Sequence, residues 1–405
     1  MLQMMGLNND NENFIYNIGI LEIQRHIPVL YSFMKICKTN KTKVTVFTTP
    51  KVFTRLLTYD INKNDFIFII KKKSETKLAF LRRVKKICNK EIDLLFINTI
   101  HSTVFDLLHY INFDTDIKKV LVVHHANAWI RPYLVFKPFN ILKTIDSNFS
   151  TVLIKNFIFP KFDAINVIYS PLRKYIYENM DYNKEIFTIP TSTFEEDLFI
   201  NNYDDNDKLK IVLPGIIQEH RKDYLSLLNA FSNICKKYKN KIEVYILGQP
   251  IGSYGKQVVK KYKNLNKKDC KVVTYDGFVP DDIFDKILNY CDIIITPLRF
   301  ETKADNLIKE QYGKTVGSGV VYNAIKYARP IIVPEEFNMI GEFSSSTLKY
   351  QNHKDLEKIL EGLINHPNKI MDLKHEALKN SRKFTLENLQ KYFNTKVIGW
   401  LEKQT

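Results

Sequence analysis

The 405-residue chain has no apolar run long enough to cross a bilayer: its longest, such as residues 66–70 and 120–123, fall far short of the ~20 residues a spanning helix needs. Residues 1–13 are polar and carry no apolar signal core, so the expectation is a cytoplasmic chain, neither secreted nor membrane-spanning. Cysteine is scarce and unpatterned. The five, Cys37, Cys88, Cys235, Cys270 and Cys291, are odd in number with no pair at metal-ligand or redox spacing, which predicts reduced core thiols in a reducing compartment. There is no recognition helix, zinc-finger spacing or base-stacking motif, and no internal sequence repeat.

What the chain has in excess is positive charge, a formal +16 from 60 basic and 44 acidic residues. A strongly basic field suits nucleic acid or an anionic membrane surface, while lysines spread over solvated faces give the same total with no partner. Local clusters say more. Lys71, Lys72, Lys73, Arg82, Arg83, Lys85 and Lys86 lie in the first half, and Lys236, Lys237, Lys260, Lys261, Lys267 and Lys268 in the second. The first cluster is the candidate membrane-facing patch, implying peripheral contact with the inner face of an anionic membrane. Without base-reading motifs, nucleic acid is not expected as a partner.

Short β-branched runs alternate with longer helical patterns. Residues 14–17, 44–47, 66–70, 94–97, 120–123 and 164–169 read as buried strands in the first half. Residues 211–213, 243–247, 272–275, 293–296 and 330–333 do so in the second. Such alternation predicts parallel sheets, here in an α/β fold of two doubly wound Rossmann-like domains facing across a cleft. The expected boundaries are residues 1–192 for the first domain, 193–208 for a polar linker and 209–384 for the second domain. A periodic tail over 385–405 is expected to form a closing helix against the first domain. Tyr224, Leu227, Leu228, Phe231, Ile234 and Cys235 share one helical face, and Pro28 predicts a helix starting near it.

In open α/β sheets ligands lie beyond the carboxyl ends of the strands, so residues directly after each strand are the ones to examine for chemistry. Gly215, Arg221 and Lys222 follow the first strand of the second half, Gly248 the second, and Gly277, Phe278 and Val279 the third. Thr315 to Pro334 reads as a turn with Gly317 and Gly319, a helix capped by Ser318 that runs to about Ala328, and a strand. Glycines at a helix N-terminus suit a phosphate, although the same turn also occurs without a ligand. Arg221 as a planar fork and Lys222 as a point charge suit a diphosphate. In the first half His124 and His125 follow a buried strand, where one of them is a candidate to orient or deprotonate a hydroxyl.

These residues resemble the GT-B glycosyltransferases, in particular the retaining family-four type (glycosyl transferases group 1). The resemblance runs from Gly215 through Lys222 to Leu227, Leu228 and Phe231, then through Gly248, Gly277, residues 290–297 and residues 323–330, to Arg382 and Glu387. It implies a nucleoside diphosphate sugar as donor and a glycan, lipid-linked or other hydroxyl as acceptor, in surface polysaccharide or glycoconjugate synthesis. By the same resemblance Gly19 is the first-domain glycine turn, Phe278 and Val279 meet the base, and no metal or other cofactor is needed. The family's two glutamates, seven residues apart, fall here on Thr315 and Asn323, with Asn323 taking the ribose and Thr315 facing the donor sugar. Asp114-Thr-Asp116 matches a metal-binding tripeptide of a different fold but precedes a strand, so it is set aside. A sugar-nucleotide epimerase, a non-catalytic nucleotide-sugar binder and a polyanion-binding adaptor remain alternatives.

Overall fold

The computed structural model describes residues 15–24, 26–100, 104–199, 208–265, 270–304 and 307–404. The acidic run Asp204–Asp207, Lys267, Lys268, the N-terminal residues 1–13 and residues 200–207 of the expected linker lie outside these.

The first sheet is wholly parallel. Its strands are β1 (Tyr16–Glu22), β2 (Thr42–Thr48), β3 (Ile67–Ile70), β4 (Leu94–Ile97), β5 (Lys118–Val123), β6 (Ala164–Val167) and β7 (Glu185–Phe187), in the order β3-β2-β1-β4-β5-β6-β7. Strands covered on both faces read as continuous aliphatic runs, and β4 and β6 are buried along their whole length. The second sheet contains β8 (Leu209–Pro214), β9 (Ile242–Leu247), β10 (Lys271–Thr274) and β11 (Ile293–Ile295). An antiparallel hairpin of β12 (Glu301–Lys303) and β13 (Lys309–Gln311) interrupts it before β14 (Ile331–Pro334) and β15 (Thr347–Tyr350) complete it. The order is β10-β9-β8-β11-β14-β15, again parallel. The architecture is therefore two doubly wound α/β domains.

Each sheet has a switch point, where the chain leaves one side of its first strand and returns on the other. One lies between β1 and β4, the other between β8 and β11, and crevices at such points take ligands.

The C-terminal segment returns to the first domain. Gln390 Nε2 donates to Lys35 O at 3.0 Å, Thr39 Oγ1 donates to Asn394 Oδ1 at 3.0 Å, and the Phe187 and Trp400 rings meet edge-on at 5.5 Å. Its apolar residues Phe393, Val397 and Leu401 join the core built on β1 to β6.

Two expectations are corrected. The first strand is displaced: it runs from Tyr16 to Glu22, so Gly19 sits in mid-strand, paired with Thr45 and Leu95, and not at a turn. A Cβ there would stand 2.9 Å from Leu95 Cδ1 and 3.2 Å from the Phe47 ring, so Gly19 is a packing glycine. The thiols are not all reduced. Cys235, on the helix Tyr224–Lys237, forms a disulfide with Cys270 just before β10, with Cα atoms 5.4 Å apart, while Cys37, Cys88 and Cys291 are free and buried. Their 35-residue separation carries no motif, and packing of helix against sheet brings them together. The elements β7, β15 and the β12–β13 hairpin have no strong sequence signal, since the hairpin strands are polar and β7 and β15 are short runs containing a charged residue.

Candidate active site

At the end of β8 the chain turns at Gly215, whose φ of 98° favours glycine. Its N–H donates to Leu247 O at 2.8 Å, and a Cβ on Gly248 would lie only 2.0 Å from Gly215 O. Two strand ends thus touch backbone to backbone. The gap left by the missing Cβ of Gly215 holds the Lys222 ammonium, since a Cβ there would be 2.8 Å from Nζ.

Lys222 is buried, its Nζ donates to Pro214 O, and no carboxylate among the described residues pairs with it. Burial, reinforced by the charge of Arg221, pulls its pKa down to about 7. A lysine that folding has desolvated without supplying an anion is poised to receive one. Arg221 beside it is exposed. A third cation, Arg299, was not picked out from the sequence. It follows β11, its backbone N–H donates to Arg221 O at 2.9 Å, and Nε donates to Glu219 O at 2.6 Å. The signal was present, because Arg299 lies four residues beyond a strand carboxyl end across the switch point from Gly215.

Ser318 caps the helix Gly319–Lys326, its hydroxyl accepting from Val320 N–H at 3.4 Å. The helix ends two residues short of the expected Ala328. A Cβ on Gly319 would meet nothing within 4 Å, so the helix start faces open space, whereas Gly317 packs against Tyr169 and Tyr322. Asn323 is half-buried one turn further on. Thr315 is a correction: it is wholly buried, and its hydroxyl accepts from Gln311 N–H at 2.7 Å, so it offers no surface to a donor sugar here. Gly277 and Phe278 are exposed, the ring at 70%, above a buried Val279.

In the first domain His124 follows β5. Its Nε2 lies 3.0 Å from Asn98 O, and a carbonyl only accepts, so Nε2 carries the hydrogen. Burial first, then the neighbouring His26, hold its pKa well below the usual 6.5. His124 is therefore neutral near pH 7, with Nδ1 as its free base. Its ring stacks on His26 at 4.3 Å and meets Trp129 edge-on at 5.5 Å.

Glu22 lies fully buried at the end of β1, where it accepts from Asn98 Nδ2 and Thr99 Oγ1, each at 2.7 Å. Because the Thr99 hydroxyl hydrogen points to Glu22, His26 Nδ1 must donate to Thr99 Oγ1, 2.8 Å away. A relay from Glu22 through Thr99 to His26 thus backs His124 at the first switch point. The displaced first strand hid it from the sequence reading.

The two halves meet directly. His125 bridges Val316 in antiparallel fashion, and Ala126 N–H donates to Thr315 O at 2.8 Å. Glu310, from β13, is buried against the first domain and accepts from the N–H groups of Ala128 at 2.9 Å and Asn127 at 3.4 Å. Burial outweighs these bonds and raises its pKa to about 7. The His124–His125 segment is thereby held beside the Gly317 turn.

The sequence matches no protein-family model and no curated protein. Solved structures do match. Sucrose-phosphate synthase from Thermosynechococcus elongatus aligns at a TM-score of 0.61 and 12% identity, over 96% of this chain and 98% of that one. A variant of S. aureus TarM in complex with fondaparinux, alpha-GlcNAc-glycerol and UDP aligns at 0.60 and 10% identity, over 94% and 99%. The lipopolysaccharide outer core galactosyltransferase WaaB aligns at 0.56 and 11% identity, over 95% and 99%.

The fold is GT-B. At these identities the likeness extends to the fold alone. In this GT-B chain the two switch points bring Gly215, Lys222 and Arg299 from one half, and Glu22, His26 and His124 from the other, to the carboxyl ends of their sheets.

Proposed function

We propose that the chain is a glycosyltransferase moving a sugar from a nucleoside diphosphate sugar to a hydroxyl of a glycan or lipid-linked acceptor. The observation that carries this is Lys222, a buried ammonium without a carboxylate partner beside a glycine turn at the second-domain switch point. A diphosphate supplies the missing counter-charge. Support also comes from the UDP in the TarM complex, a protein of similar fold.

In this reading the bond from the anomeric carbon to the diphosphate oxygen breaks as the acceptor oxygen bonds to that carbon. The acceptor's proton passes to the leaving phosphate. Lys222, Arg221, Arg299 and the N–H groups starting the helix Gly319–Lys326 stabilise the departing charge, so the role a metal plays elsewhere falls to side chains and amides. Asn323 holds the ribose and Phe278 stacks on the base. His124, neutral and fixed by Asn98, accepts the acceptor hydroxyl through Nδ1 and orients it rather than removing its proton outright. Retention of configuration, and a role in surface polysaccharide or glycoconjugate synthesis, belong to the same proposal.

The test is thermal stabilisation by uridine, guanosine, cytidine and thymidine diphosphates and their sugars, because selective binding raises apparent stability by mass action. One base family should raise the midpoint, and Lys222→Met should abolish the shift while the variant stays folded. No shift with any of them would sink the proposal.

A further inference from the structure

The helix Ile141–Leu153 is inside out. Its buried residues are mostly hydroxyl-bearing, Thr144, Ser147, Ser150 and Thr151, while Leu142, Ile145, Phe149 and Val152 are exposed. Those four positions follow the spacing of a single helical face. The loop before the helix adds Phe136 and Phe139, exposed at 82% and 103%, and the neighbouring helix Val104–Ile111 adds Phe105 at 79%. Contiguous apolar surface of this kind marks an interaction site.

Its charge says what covers it. Between residues 131 and 160 there are four basic side chains, Arg131, Lys137, Lys143 and Lys155, and one acid, Asp146. All four cations are exposed, whereas Asp146 is half-buried and accepts from Val104 N–H. A second copy of this face would set lysines against lysines. An anionic lipid surface neutralises them and accepts the aromatic and aliphatic tips together. Among the described residues no helix is long and apolar enough to cross a membrane, so the contact is interfacial.

We propose that this face docks the protein on an anionic bilayer surface. It is not the basic cluster expected from the sequence: Arg83 there is paired with Glu75, Lys71 Nζ donates to Glu75 O, and no large apolar side chain is exposed among described residues 66–91. A cavity of about 620 Å³, lined by Asn127, Tyr133, Leu134, Val152 and Lys155 among others, adjoins the same face. Docking brings its mouth to headgroup level. The inference stands whether or not the cleft binds a nucleotide sugar.

The experiment is co-sedimentation of the full chain with phosphatidylcholine vesicles, with and without phosphatidylglycerol. The expected result is binding to the mixed vesicles, weaker binding to phosphatidylcholine alone, and at least a ~10-fold loss for Phe139→Ser with Leu142→Ser. Both sites are exposed, so the thermal midpoint of this variant should match the wild type. Lys72→Glu with Lys73→Glu should leave binding intact. The proposal is overturned if the wild type ignores mixed vesicles, or if only the Lys72/Lys73 variant loses binding. It is equally overturned if the wild type is a dimer that the Phe139/Leu142 variant splits, which would assign the face to a second copy.

Discussion

Replacing Glu310 by glutamine should remove a pH-dependent weakness from the seam between the two halves. In the native structure this carboxyl is fully buried and holds its proton up to about pH 7, whereas in the unfolded chain it releases it near 4.5. Below pH 4.5 both states are protonated and Glu310 contributes no pH dependence. Between 4.5 and 7 the native state binds the extra proton, so stability falls as pH rises, by ~1.4 kcal/mol per pH unit and ~3 kcal/mol across the window. Above 7 the loss is complete.

Glutamine is neutral throughout and keeps an oxygen for the Ala128 N–H at 2.9 Å, giving up the longer contact to Asn127. It should cost under ~1 kcal/mol at pH 4.5 and be the more stable form by ~2 kcal/mol at pH 8. Thermal unfolding of both proteins across this range gives the difference directly, and other titrating groups such as His124 cancel in it. Parallel profiles would refute the account of Glu310 as a buried, proton-holding link. Glu310→Ala, by contrast, strands the buried Ala128 amide and should be destabilising by ~1–3 kcal/mol, with a smaller loss from the half-buried Asn127 amide.

Lys222 titrates in the opposite sense. Its pKa is lowered from 10.5 to about 7, so the wild type gains stability as pH rises from 7 to 10.5, and Lys222→Met should lose that slope in thermal unfolding. At pH 8 a bound diphosphate should draw close to one proton back onto Lys222, measured calorimetrically in buffers of different ionisation enthalpy; equal uptake by Lys222→Met would exclude it from the site. Gly248→Ala forces a Cβ to within 2.0 Å of Gly215 O and should cost at least ~2 kcal/mol in unfolding experiments. Gly319→Ala meets open space, so it should leave stability unchanged while weakening nucleotide-induced stabilisation if the helix start cradles phosphate. Reducing the Cys235–Cys270 disulfide opens a 35-residue loop and should lower stability by ~3–4 kcal/mol, visible as a lower midpoint in dithiothreitol.

The parallel α/β architecture was legible from composition and period alone, because strands covered on both faces must be aliphatic throughout and the helices between them amphipathic. So was the rule that placed Arg221 and Lys222 just beyond a strand carboxyl end. Applied to a first strand ending at Asn17, the same rule passed over Glu22 and His26. Strand ends are poorly marked when the residues beyond them are themselves buried.

Other features have no local signature. Glu310 lies in a hairpin of three-residue strands, and its burial comes from amides some 180 residues earlier in the chain. Cys235 and Cys270 meet because a helix packs on a sheet. The outward face of Ile141–Leu153 carries the same apolar periodicity as a core helix, and nothing in the pattern says which way it turns. Periodicity along the chain sets what each segment can bury, since it follows from backbone geometry within a few residues. Which surface is buried, which cation lacks a partner and which acid crosses between domains follow from contacts between distant segments, and those exist only once the two sheets have closed on each other.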